Sequence, residues 1–266
     1  LFYQAERSGR CGFNGWRTAG RRNPAPGIAL ALDCEYRSTM PKTKGKSKAR
    51  ATGPSTPPAF NWNDLGQYKA AGRFLDGYPE NIRSFYSPVD KLHLALCSLL
   101  ASAEKSIVIN MFGYTDSELN DIILEKLEDE QVYVQMSLDS REAKIKSEAA
   151  LLERWQHGRD GNSIAVGHSS KGAISHMKIV IVDGIYTVRG STNWSLSGEE
   201  DQDNEMTIHN DAVIAAETRA ELDRNHDVML KQMAKKRAEE AAKTAKAATK
   251  DTPKASAKAA AKPKPR

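Results

Sequence analysis

The segment from Ala173 to Gly190 constrains the fold more than any other part of the chain. Residues 173–182 read Ala-Ile-Ser-His-Met-Lys-Ile-Val-Ile-Val, a β-branched run that predicts a buried strand. Asp183-Gly184 has the composition of a two-residue hairpin turn, and Ile185 to Gly190 predicts the antiparallel return. So apolar a hairpin needs more sheet around it, and the upstream sequence provides it. Lys105–Phe112 and Gln131–Leu138 both read as strands, and Asp116 and Ser117 can cap a helix between them. Ser87-Pro88 reads as the start of a helix running to about Ala103. A further long helix is expected over about 141–156, then a turn at Gly158 and Gly161 and a short strand over 163–167. Beyond the hairpin, the acidic stretch 195–205 reads as polar loop, 206–210 as a strand and 211–236 as a helix. Strands alternating with helices predict an α/β fold, a mixed central sheet flanked by helices, in one domain over residues 60–236.

The chain's charge is divided along its length. Its 266 residues carry a net +5. Residues 231–266 hold 12 basic and 3 acidic side chains, residues 40–50 hold 5 basic and none acidic, and residues 1–39 hold 6 and 3. Residues 51–230 are therefore left at −12. An acidic body with basic ends says little about the site and something about what the ends attract. Lysines 243, 246, 250, 254, 258 and 262 punctuate an Ala-rich stretch without large apolar residues, so 237–266 is expected to be a disordered tail. Residues 40–59, rich in Lys, Pro, Ser and Thr, are expected to be a disordered tether. The first methionine is Met40, so residues 1–39 read either as sequence upstream of a natural start at Met40 or as a disordered leader. An intact mass of the native protein separates the two.

Cys11, Cys34 and Cys97 form no zinc spacing and no even-numbered framework, which points to a reducing compartment and a cytoplasmic protein. Cys97, in Leu-His-Leu-Ala-Leu-Cys, reads as a small buried hydrophobe, and His93 four residues before it as a packed or surface residue. No stretch has the roughly 18 consecutive apolar residues of a membrane span.

The chemistry gathers at His-x-Lys-x4-Asp, formed by His176, Lys178 and Asp183, with Gly190-Ser191-Thr192-Asn193 following. On an extended strand, side chains two apart share a face, so His176 and Lys178 are expected to point into one cleft with Met177 and Ile179 behind them. The return strand brings Ser191 and Asn193 beside them. An imidazole, an ammonium, a hydroxyl and an amide suit an oxyanion better than a sugar acetal, which wants two carboxylates. His168 and Lys171 in a Gly/Ser-rich loop, Arg189 and Trp194 are further candidates for contacting substrate, with loop or packing roles the plainer reading for His168, Lys171 and Trp194.

The segment His176–Asn193, with Glu205 in Asp-Asn-Glu-Met-Thr-Ile downstream, resembles the signature of the phospholipase D superfamily, the HKD phosphodiesterases. The resemblance covers about residues 80–230. Arg189 departs from it, standing where many relatives carry a small residue or threonine. The resemblance implies that one His176 attacks phosphorus and a second protonates the leaving oxygen. Lys178, Asn193 and Ser191 would hold the non-bridging oxygens, Glu205 would orient a histidine and Asp183 would fix the turn. The scheme needs no metal and no cofactor. One signature in a family that uses two histidines implies a homodimer. Compact single-signature relatives point to an endonuclease acting on DNA, and possibly RNA. The alternatives are a lipid phosphodiesterase tethered to an anionic membrane by the basic tail, and a catalytically inactive nucleic-acid-binding module.

Overall fold

The computed structural model describes residues 59–144 and 162–250. Seven strands form one sheet: β1 (Ile82–Ser87), β2 (Ser106–Met111), β3 (Tyr133–Asp139), β4 (Ser163–Gly167), β5 (Lys178–Val182), β6 (Tyr186–Gly190) and β7 (Asn204–Asn210). Their order is β1-β7-β6-β5-β2-β3-β4. β2, β3 and β4 run parallel, and every other neighbouring pair is antiparallel. This is the expected mixed α/β sheet, its two halves joined where β5 pairs with β2.

One face is covered by α1 (Leu92–Ala101) and α2 (Ser117–Glu128). Leu92, Leu96, Leu99 and Leu100 of α1 and Leu119 and Ile123 of α2 are buried against Ile107, Ile109, Val134, Met136, Val180 and Val182. Each such side chain contributes roughly 1.5–3 kcal/mol by leaving water. Asp116 caps α2 by accepting from Leu119 N at 2.9 Å, as its sequence position predicts. The opposite face is covered over β2–β5 by α4 (Ala212–Lys250), whose Ala215 and Leu222 meet Val108 and Ile181. Polar strand residues on that face find partners on α4. Gln135 Nε2 donates to Asp223 Oδ1 at 2.8 Å, and His226 bridges the hydroxyls of Ser137 (2.8 Å) and Ser163 (2.7 Å).

Four boundaries differ from the expectation, each for a local reason. Ser87 ends β1 opposite Asn204 instead of opening a helix, and α1 begins only at Leu92. Asp90, a natural cap, is consumed by the preceding turn, where it accepts from the amides of Ala70 and Tyr86 and pairs with Lys69. β5 begins at Lys178, five residues later than read, because residues before it are held by side chains: Ser175 N donates to Asp139 Oδ2 at 2.7 Å and Ser175 Oγ to Asn110 Oδ1 at 3.1 Å. The acidic segment holds a short helix, α3 (Leu196–Glu200), capped by Ser195, and β7 starts at Asn204. α4 continues to Lys250, past the boundary placed at 236, through residues dominated by Ala, Lys and Glu, which are strong helix formers. The helix expected over 141–156 falls largely outside the described residues, which show only a 3-10 turn at Glu142–Lys144. The leader, the basic segment to residue 58 and residues 251–266 also lie outside them.

Candidate active site

His176, Lys178, Arg189, Glu205, Thr207 and His209 line one open cleft of about 480 Å³ where β5, β6 and β7 run side by side. His176 stands just before β5, so its placement comes from pinned backbone and not from a strand face. Phe112 N donates to Met177 O at 2.9 Å, and the His176 ring leans on the Phe112 ring with centroids 4.7 Å apart. The imidazole itself is exposed. Lys178 is buried to 7% exposure, its Nζ 4.9 Å over the same Phe112 ring and donating to His176 O at 3.1 Å. Burial lowers the Lys178 pKa, and Glu142 partly opposes that. Met177 and Ile179 pack on the α4 side but also line the cleft, so the expectation that they stand behind it does not hold.

The β5–β6 register sets Ile179 opposite Arg189, which carries the chain after Gly190 back past Lys178. Gly190 is a requirement: a Cβ there would lie 2.0 Å from Glu205 O, inside the β6–β7 contact. Ser191 is tied to β7, its hydroxyl donating to Asn204 Oδ1 at 2.8 Å and accepting from Glu205 N at 3.1 Å. Asn193 rests on Gly113, where a Cβ would come 3.2 Å from its Cγ, and its buried Oδ1 has no hydrogen-bond donor among the described residues. The Glu205 carboxylate faces the cleft and accepts from Thr207 Oγ1 at 2.5 Å.

Several candidates stand elsewhere. Asp183 lies at the far end of β5 with φ +54°, its carboxylate accepting from the amides of Glu104, Lys105 and Ser106. It fixes the turn and the start of β2. Trp194 is 3% exposed and packs on Tyr114 at 5.3 Å, which makes it a core residue and corrects its candidacy for substrate contact. His168 is bound to α4, where Gln232 accepts from its amide at 2.9 Å and donates to its carbonyl at 3.0 Å. It lines a separate groove with Lys144, Lys236 and Arg237. Lys171 is exposed in the loop before β5 and lines neither cavity. Arg189 is in the cleft, donating from Nε to His209 Nε2 at 3.2 Å. Burial, then the Arg189 charge, lowers the His209 pKa.

His209, Phe112 and Asp139 are the residues that sequence reasoning missed. His209 was detectable from alternation, since Glu205, Thr207 and His209 occupy every second position of one strand. Phe112 and Asp139 act across the sheet at strand ends, where periodicity says nothing about partners.

A seven-stranded mixed sheet with this His-x-Lys and Gly-Ser-x-Asn placement defines a class, and the comparisons agree with it. Residues 96–226 match the family described as cardiolipin synthase, PLD-like domain. The mitochondrial cardiolipin hydrolase of Chlamydomonas reinhardtii is 25% identical over 129 residues, which are 48% of this chain and 55% of that protein. The chain thus spans about half the length of that curated relative. Among solved structures, NucT from Helicobacter pylori aligns over 55% of this chain and 96% of its own at 16% identity and a TM-score of 0.50. The phospholipase D family member Nuc from Salmonella typhimurium aligns over 55% and 93% at 20% identity and a TM-score of 0.48. At 16% identity the NucT likeness speaks to the fold alone. Residues 96–226, just under half of the chain, thus match a phosphodiesterase-type domain of the phospholipase D superfamily.

Proposed function

We propose that the chain hydrolyses the phosphodiester of an anionic phospholipid, with His176 reacting at phosphorus. The observation that carries the chemistry is an exposed imidazole held on Phe112 beside the Lys178 ammonium. His176 forms an N–P bond as the P–O bond to the leaving alcohol breaks, and a second histidine gives that oxygen a proton. The same second histidine then takes a proton from water, whose oxygen attacks phosphorus and releases His176. Since the chain has one His-x-Lys signature, the second ring is the partner's His176 in a homodimer. Lys178 and the Asn193 amide stabilise the charge on the non-bridging oxygens. Glu205 orients an imidazole, and Ser191 acts by anchoring the loop that carries Asn193.

Support for lipid comes from the family description, cardiolipin synthase, and from the relative named a cardiolipin hydrolase. It also comes from α4, which exposes Lys231, Lys235, Lys236, Arg237, Lys243 and Lys246. Each basic side chain near an anionic leaflet contributes about 1 kcal/mol of attraction. The observation favouring nucleic acid is the groove of about 560 Å³ that Lys144, Lys236 and Arg237 line with His168. Such a groove suits salt-sensitive phosphate contacts.

Parallel incubation with cardiolipin vesicles, plasmid DNA and RNA in excess EDTA tests both readings. Wild type is expected to release phosphatidic products from the vesicles, and His176→Ala to release none. Cleavage of DNA or RNA with the vesicles left intact would replace the lipid reading with the nuclease reading.

A further inference from the structure

Under the α1–α2 side of the sheet lies a cluster for which phosphodiester chemistry has no use. His93 and Cys97 are four residues apart on α1, so both leave the same helix face. The ring is 2% exposed and the cysteine 1%. Cys97 Sγ lies 3.1 Å from His93 Nε2, and Glu118 Oε2, from the first turn of α2, lies 3.1 Å from that same nitrogen. On the other edge of the ring, Nδ1–H donates to the Glu199 carboxylate of α3, with Asp116 Oδ2 at 3.9 Å.

This is the arrangement that prepares a histidine to bind a metal. A carboxylate on Nδ1 fixes the tautomer and leaves the Nε2 lone pair as the ligand. That nitrogen faces a thiol and a carboxylate, and it becomes a ligand once its proton is lost. One nitrogen, one sulfur and one oxygen form a donor set for zinc and its transition-metal neighbours, whereas calcium and magnesium want oxygen alone. The spacing also fits. Bonds of about 2.0–2.3 Å to a tetrahedral centre set the donors roughly 3.3–3.7 Å apart, so the 3.1 Å separations need open by only a few tenths of an ångström. The three donor atoms already lie within 4.8 Å of one another. The Glu118 side chain is 35% exposed, which leaves a route for the ion and a place for water as fourth ligand.

We propose that His93, Cys97 and Glu118 form a structural site for a zinc-class divalent ion, with Glu199 holding the imidazole from behind. In the metal-free chain burial opposes a charged ring, but the hydrogen bonds to Cys97 and Glu199 and the Glu199 charge push it up to about 11. Binding replaces that proton. The Nε2–H and the Cys97 S–H bonds break, N–metal and S–metal bonds form, and both protons pass to solvent. The ion ties α1 to α2 and, through Glu199, to α3, which begins three residues after Asn193. Its role is to brace the loop that carries Asn193, independent of which phosphodiester is cleaved.

The test uses the full chain purified without chelator. Elemental analysis is expected to find about one zinc per chain in wild type and in His176→Ala. Cys97→Ser should lose it, and the cobalt-exchanged protein should show a thiolate-to-cobalt charge-transfer band that Cys97→Ser lacks. Glu118→Gln, a change at a part-exposed side chain, keeps the question open to measurement if Cys97→Ser folds poorly. It should weaken zinc affinity at least about 100-fold and abolish the rise in melting temperature that zinc gives wild type. Wild type without stoichiometric metal and without a zinc-dependent melting shift would overturn the site. So would zinc lost from His176→Ala but retained by Glu118→Gln.

Discussion

His176 and His93 are the same side chain in opposite surroundings. His176 is exposed, its backbone pinned by Lys178 and its ring supported by Phe112, with the imidazole edge facing an open cleft. His93 is buried and engaged on both edges, by Glu199 on one nitrogen and by Cys97 and Glu118 on the other. A ring committed on both edges has no lone pair to offer phosphorus, while a supported ring with an open edge does. The difference shows that the identity of a histidine counts for less than which of its nitrogens the fold leaves free.

The sharpest way to break that comparison is to remove each ring in turn. His176→Ala should reduce phosphodiester hydrolysis by about 10⁴-fold and leave stability within about 0.5 kcal/mol of wild type, as for other exposed positions. His93→Ala should do the reverse. It removes the ring that the buried Glu199 carboxylate is bonded to, which costs about 3–5 kcal/mol, while turnover per folded molecule falls far less than in His176→Ala. Denaturant unfolding beside a vesicle hydrolysis assay reads both. A His93→Ala chain as stable as wild type would show that the buried cluster holds nothing together.

How much of this was legible in the sequence follows the range of the interactions. The β5–β6 hairpin was readable from the Lys-Ile-Val-Ile-Val run and the Asp183-Gly184 turn, because adjacent residues decide both. The mixed sheet followed from the alternation of elements. Alternation put His176 and Lys178 together and the family resemblance added Arg189 and Glu205, although the geometry assumed for the cleft did not hold. His176 lies outside the strand, since Asp139, 36 residues before Ser175, takes the amide that the strand ladder would have used. His93 was read as a packed or surface residue, because its partners Glu118 and Glu199 lie 25 and 106 residues away. α3 was read as polar loop, because acidic composition hides a Glu199 that is 2% exposed. Local pattern carries strands and turns; it does not carry the partners of a buried polar group.

Gly113→Ala sharpens the comparison from the cleft side with a smaller effect. The added Cβ would meet Asn193 Cγ at 3.2 Å and Oδ1 at 3.4 Å, so the amide must move by a few tenths of an ångström. A shift of that size at the group proposed to stabilise the oxyanion is expected to lower turnover about 10-fold, with vesicle binding and melting temperature nearly unchanged. Asn193→Ala, which removes the group, should cost about 10²–10³-fold. Equal losses from the two would mean that Gly113 matters for the backbone and not for the amide.

The smallest effect concerns a third histidine and separates carboxylate from hydroxyl surroundings. His226 is buried between Ser137 and Ser163, and burial lowers its pKa from the ordinary 6.5, with Asp223 only partly opposing. The folded chain therefore resists a proton that the unfolded chain accepts. Stability from this group is present above pH 6.5 and is lost as pH falls below it toward the depressed folded value. His209, lowered by burial and by Arg189, acts in the same direction. His93 has the opposite sign in the metal-free chain: its contribution is complete below 6.5 and is lost as pH rises through about 11, so it adds no slope in the acidic window. Unfolding free energies of the metal-free chain should therefore fall as pH drops below 6.5. His226→Gln keeps an amide for the two serine hydroxyls and carries no titrating ring, so it should flatten that slope by at most one proton's worth. An undiminished slope in His226→Gln would assign acid sensitivity to the cleft, where His209 faces Arg189, and His209→Gln would then have to remove it.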